Sequence, residues 1–189
     1  MAHKILVITG SYRTNGNTSI LADAFVKGAK EVGNEVEVFN AAKANLDGCH
    51  GDKSCHRTGE CGIKDDGIEM HRLLRWADTL VLISPMYFGG FTSYMKKAID
   101  RLYPYAGEKA RATLGVKTIY LIAAGGTRNT QDFQAMEYVF DHVAKVLKLE
   151  EGGKLLCTGL GAPGEVKKYD GFIRAAVRMG MQIGAYTNE

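Results

Sequence analysis

The chain predicts an α/β protein, a doubly wound parallel sheet of five strands in the order 2-1-3-4-5 with helices on both faces. Three observations carry that reading. Apolar runs of strand length at Ile5–Ile8, Leu80–Ile83 and Ile119–Ala124 are bounded by small polar, Gly or Pro residues, as strands buried on both faces are. Between them apolar residues recur at helical spacing, so strand and helix alternate, which calls for a parallel sheet. Val36–Phe39 instead alternates apolar and polar and belongs at an edge beside strand one. That arrangement puts the switch point between strands one and three, where ligands bind at the C-terminal strand ends.

Taken in order, strand one (Ile5–Ile8) leads through Gly10–Ser19 into a helix carried by Ile20, Leu21, Ala24, Phe25, Ala29 and Val32, with Gly33 as its stop. Strand two is Val36–Phe39. A helix over Ile68–Trp76 precedes strand three, which Ser84-Pro85 should end because proline cannot donate into the ladder. Met95, Ala98 and Leu102 mark the next helix, and Ile119–Ala124 is strand four. Phe133, Met136, Phe140, Val143 and Leu147 mark an amphipathic helix; Leu155–Cys157 makes strand five, and a last helix fills much of 165–181.

With 189 residues and no linker, repeat or low-complexity tract, the chain reads as one domain, 1–189, carrying a long excursion at 40–67. No run approaches the ~18 apolar residues of a membrane span. A net charge of +3 with no basic cluster among aromatics argues against nucleic acid. Three of the four cysteines crowd between Cys49 and Cys61, which in an unsecreted chain favours metal or redox chemistry over a disulfide framework. A cytoplasmic protein is expected.

Gly10–Ser19 has the character of a phosphate site. It joins a buried strand to a helix N-terminus, where backbone N–H groups and the helix dipole favour an anion. Ser11, Arg13, Asn15, Asn17, Thr18 and Ser19 add hydroxyls, amides and one permanent cation, with no Asp or Glu in the stretch. It contains neither a P-loop nor a Gly-x-Gly-x-x-Gly, which leaves a loop for a monophosphate group. On the same rim, Pro85, Met86, Tyr87 and Phe88 stand where a flat ring would lie, and Gly125, Gly126 and Thr127 would let backbone approach it closely.

Gly10-Ser-x-Arg-x-x-Gly-Asn-Thr18 resembles the phosphate loop of the NADPH-dependent FMN reductase and multimeric-flavodoxin group. Ser84-Pro-x-Tyr87 with Met95-Lys96 and Ile99-Asp-Arg101 is similar to that family's second segment. The resemblance spans most of 4–105. It implies a flavodoxin-like fold, FMN held at its phosphate by Ser11, Arg13, Asn17, Thr18 and Ser19, and an isoalloxazine ring flanked by Pro85, Met86, Tyr87 and Phe88. It also implies an oxidoreductase that takes hydride from NAD(P)H at flavin N5 and passes electrons to a quinone, flavin or other small acceptor. The chemistry then belongs to the cofactor, so no side chain is nominated as catalytic; Tyr87 is a candidate for positioning substrate. A homo-oligomer with exposed Tyr94, Tyr103 and Tyr105 near its interface goes with the same resemblance. The alternatives are a non-enzymatic electron carrier and, further off, a metal-binding scaffold.

Iron–sulfur flavoproteins related to that group carry Cys-x-x-Cys-x-x-Cys-x5-Cys in the excursion. Here Cys49, Cys55 and Cys61 match, and the second position is Asp52. A [4Fe–4S] cluster takes four thiolates, so no metal is expected and the cysteines are read as free or redox-labile thiols near the flavin. A zinc site using His50 or His56 is the lesser reading. Cys157 and Trp76 read as packing. Gly159-Leu-Gly-Ala-Pro-Gly164 fits a dinucleotide spacing but lacks a following strand with its acidic residue, so it is read as a tight loop.

Overall fold

The computed structural model describes residues 2–184. Strand β1 (Lys4–Thr9) is followed by α1 (Asn17–Glu31), β2 (Glu35–Asn40), the short α2 (Ser54–Thr58) and α3 (Gly67–Trp76). Then come β3 (Thr79–Tyr87), the two-residue β4 (Gly90–Phe91), α4 (Ser93–Asp100) and α5 (Glu108–Arg111). The chain continues with β5 (Thr118–Ala124), α6 (Gln134–Leu147), β6 (Glu150–Cys157) and α7 (Asp170–Gln182). The sheet runs β2-β1-β3-β5-β6, all parallel, so the parallel strands keep the expected 2-1-3-4-5 order. Only the antiparallel β4, which pairs with the end of β3, is additional.

Alternation along the strands sends side chains to two cores. Leu6, Ile8, Leu80, Leu82 and Leu121 pack with Met70 and Leu74 of α3, Met95 of α4 and Phe140 of α6. Ile5, Val7, Val81, Ile83 and Ile122 pack with Leu21 and Phe25 of α1 and Ala176 of α7. Helices α1 and α7 meet backbone to backbone. A Cβ on Gly28 would lie 2.1 Å from the Val177 carbonyl oxygen, and one on Gly180 2.3 Å from that of Phe25.

Four expectations need correcting. Pro85 does not end β3, which continues to Tyr87 with Pro85 opposite Ala124 of β5. The Ile83 carbonyl accepts the Gly10 N–H on the β1 side, so two residues on the Pro85 nitrogen faces that side too, past the end of β1. No ladder bond is lost there. Strand β6 starts at Glu150, where Glu-Glu-Gly-Gly carries no apolar signal, and Gly152 leaves room for the Tyr120 ring, 2.1 Å from where a Cβ would stand. The last helix begins at Asp170, after a separate 3-10 turn over Glu165–Lys168. Tyr105 is buried at 2% exposure, its hydroxyl against His71, whereas Tyr94 and Tyr103 are exposed.

Candidate functional site

The loop after β1 is held from below. Gly10 donates to the Ile83 carbonyl at 2.9 Å and sits where a Cβ would be 2.7 Å from Met95 Cβ. The Thr92 hydroxyl donates to the Gly10 carbonyl at 2.8 Å and accepts from the Met95 N–H, so one side chain caps α4 and fixes the loop. Beyond it α1 starts at Asn17 with Gly16 as its cap residue, no side-chain cap and no acidic residue in its first turn. Its first N–H groups, left without a side-chain acceptor, form an anion-binding end.

These N–H groups open into a cavity of about 300 Å³. Ser11, Arg13, Gly16, Asn17 and Thr18 form one wall, Pro85, Met86 and Tyr87 a second, and Ala124, Gly125 and Gly126 the base; Leu160 and Gly161 complete it. Ser11 and Thr18 are buried, which suits hydroxyls aimed at a ligand rather than at bulk water. Gly125 permits a close approach: a Cβ there would be 2.9 Å from Met86 Cε.

Four expected site residues stand outside this lining. Asn15 is exposed on the loop. Ser19 donates to the Arg13 carbonyl at 2.5 Å and so shapes the loop. Thr127 donates to the Asp132 carboxylate. Phe88, fully exposed, occupies the tip of the β3–β4 hairpin at φ +49°, followed by Gly89 at φ +76°. That is the sign of φ a two-residue hairpin requires, and for a non-glycine it is strained. Asn17 lines the cavity, but its amide works on protein: it donates to the Leu160 and Ala162 carbonyls at 3.3 and 2.9 Å and accepts from the Val166 N–H at 3.0 Å. It thereby pins the Gly159–Gly164 loop to the site. That loop follows the last strand on the same rim, a positional signal that marks it as part of the cavity even without a dinucleotide motif.

A second constellation lies at the other end of α4. Cys49, Asp52, Cys55 and Cys61 line a recess of about 20 Å³ with Arg101, just past the helix C-terminus. It shares no lining residue with the 300 Å³ cavity. The cysteines are therefore not against the ring slot. Arg101, 1% exposed, donates to both oxygens of Asp65 at 2.7 and 3.0 Å and to the Asp47 carbonyl at 3.1 Å. Burial pushes the Asp65 carboxyl up, yet Arg101 and the Asp47 and Gly67 N–H groups outweigh it and hold it below the usual carboxylate value.

An adjoining cavity of about 160 Å³ includes Cys61, Lys64, His71, Arg75 and Tyr105. The His71 Nδ1 meets the Tyr105 hydroxyl at 3.1 Å, and its Nε2 is buried without a hydrogen-bond partner. Burial, reinforced by Arg101 and Arg75, pushes this imidazole down to about 4. Burial likewise raises the Tyr105 hydroxyl to about 12. The two histidines considered as metal ligands are engaged elsewhere: His50 with the Asp47 carboxylate at 3.2 Å, His56 stacked on Tyr103 at 4.7 Å between ring centres. Among the described residues no three His, Cys, Asp or Glu side chains are placed to hold a metal ion. Cys157 is fully buried and its thiol pushed up to about 12 by that burial, and Trp76 packs against the core. Among the described residues no helix is long and apolar enough to cross a membrane.

Comparison with known proteins adds to this geometry. A family model described as NADPH-dependent FMN reductase matches residues 3–148. An iron–sulfur flavoprotein of Methanocaldococcus jannaschii is 30% identical over 187 residues, covering 95% of each chain. An NAD(P)H:quinone oxidoreductase from Methanothermobacter marburgensis has a TM-score of 0.74 at 16% identity, covering 97% of this chain and 98% of its own. An FMN-dependent NADH-azoreductase from Bacillus anthracis, solved in complex with FMN, has a TM-score of 0.67 at 14% identity, covering 94% and 99%. At such identities the two solved structures show a common flavodoxin-like fold.

Proposed function

Because this chain belongs to the NADPH-dependent FMN reductase family, we propose that it is an FMN-dependent oxidoreductase that draws electrons from NAD(P)H and delivers them to a quinone, flavin or other small acceptor. The observation that carries the reading is the 300 Å³ cavity, which sets an uncapped helix N-terminus against Pro85, Met86 and Tyr87.

The residues fit the cofactor. The first N–H groups of α1, the buried hydroxyls of Ser11 and Thr18, and Arg13 would hold the phosphate, with no acidic residue in the helix's first turn to repel it. Pro85, Met86 and Tyr87 would flank the ring, and Gly125 and Gly126 would bring backbone groups to its polar edge. When bound, the flavin supplies the electron chemistry, and the chain supplies position and field. Asn17 keeps the Gly159–Gly164 loop closed against the phosphate end. Tyr87, half exposed at the mouth, is placed to orient an incoming substrate.

Charge favours an enzyme over a carrier. Carriers use a strong acidic field to steer onto basic partners, whereas this chain has 24 Lys and Arg against 21 Asp and Glu. Arg13 and Arg128, exposed on the rim, suit an anionic dinucleotide. A cytoplasmic homo-oligomer goes with this reading, Tyr94 and Tyr103 offering exposed aromatic surface. The test is steady-state oxidation of NADPH and NADH by FMN-loaded protein with a quinone acceptor. Turnover supports the proposal. Flavin that stays oxidised under excess of both nucleotides, yet is reduced by a carrier reductase, would decide for the electron carrier.

A further inference from the structure

The flavin chemistry leaves the cysteine recess unused, and a relative that covers nearly the whole chain is named for an iron–sulfur centre. The residues here do not fit such a centre. A four-iron cluster is held by four thiolates, and this recess offers three, Cys49, Cys55 and Cys61, with the carboxylate of Asp52 beside them. That carboxylate is already committed: it accepts the Ser54 N–H at 2.8 Å, fixing the turn into α2, and this bond is the main cause of its lowered protonation point. It is also a hard ligand, where iron–sulfur centres select soft thiolate.

The recess encloses about 20 Å³, room for about one water, so a cluster would require the loop to open. The adjacent cation, Arg101, is tied to Asp65 and the Asp47 carbonyl and also reaches Cys61.

We infer that this recess is a three-thiol site without a cluster, and that Asp52 is the residue that decides it. The inference rests on the flavin reading above and narrows it. With no cluster in the loop, electrons leave directly from the cofactor cavity, and the acceptor is a molecule small enough to reach the flavin there.

The test uses the full chain, purified anaerobically and then exposed to ferrous iron and sulfide, as wild type and as Asp52→Cys. Iron, acid-labile sulfide, free thiols and FMN are measured on the same samples. The wild type is expected to hold well under one iron per chain, before and after reconstitution, with its thiols titratable. Asp52→Cys is expected to rise to about four irons and four sulfides. Four irons and sulfides on the wild type would overturn the inference. So would an Asp52→Cys protein that retains its flavin but takes up no iron, since Asp52 would then not be the deciding residue. The wild-type result stands alone if the variant fails to fold. Absence of FMN from an iron-free wild type would strike the flavin reading and with it the acceptor conclusion, while the three-thiol assignment would stand.

Discussion

The two ends of α4 build polar sites by opposite means. Beside its N-terminus, across the Thr92–Gly10 contact, the site is made of backbone: the first N–H groups of α1, a glycine at each close approach, and hydroxyls that stand ready for a ligand. At its C-terminus the site is made of side chains drawn from separate elements, Arg101 on Asp65 and His71 on Tyr105, which pair under the surface but leave Arg101 Nε and His71 Nε2 without a hydrogen-bond partner. The first arrangement leaves donors free and so can bind. The second uses its charges mainly on one another, which stabilises the fold.

The strongest way to break this contrast is to remove one partner of the C-terminal pair. Asp65→Ala strands a guanidinium that is 1% exposed, and losing one member of a buried pair costs about 3–5 kcal/mol. Urea unfolding should show a loss of that size. An effect near the few tenths of a kcal/mol typical of surface pairs would mean that Arg101 finds water or another acceptor.

His71 gives the next effect, through pH. Its folded value is lowered from 6.5 to about 4, so the unfolded chain binds more protons between those two points. The associated stability is fully present above 6.5 and falls as pH drops toward 4, by about 3 kcal/mol in all. Thermal melts from pH 7 to 4 should show this slope, and His71→Asn should flatten it. An unchanged slope in the variant would remove His71 as its source.

At the other end, Thr18→Asp sets a carboxylate against the phosphate position and should weaken FMN binding about a hundredfold, close to 2.8 kcal/mol, while urea stability stays nearly constant. Arg13→Glu should act in the same direction. Fluorescence titration of apoprotein with FMN measures both, and wild-type affinity in both variants would sink the assignment. The smallest effect tests the link between the two regions. Thr92→Ala removes a helix cap worth about 1 kcal/mol together with its bond to the Gly10 carbonyl. It should lower stability by that amount and FMN affinity slightly, whereas full retention of both would show that Thr92 is dispensable.

The same contrast explains what was legible in the sequence. Gly10–Thr18 announces itself because a backbone-built site needs small residues at fixed spacing on one contiguous stretch. Strand order followed from Val36–Phe39 alone, since only an edge strand alternates. Arg101, Asp65 and His71 carry no such signal; they meet through folding, from positions tens of residues apart. Tyr105 looked exposed for a related reason: beside Pro104 it reads as loop, and only the packing of α3 against the turn after α4 buries it. Asn17 lines the cavity, but nothing in the sequence signals that its amide bonds protein, because its partners, the Leu160 and Ala162 carbonyls, lie 143 and 145 residues away.

The glycine contact between α1 and α7 bears on the order in which a ribosome delivers this site. The helix that carries the N–H groups of the 10–18 loop is backed by α7 across Gly28 and Gly180 and latched by the 159–166 turn through Asn17. A nascent chain therefore displays the cradle before the segments that close it have been made. A ligand of that cradle would be held only by chains in which α7 has emerged.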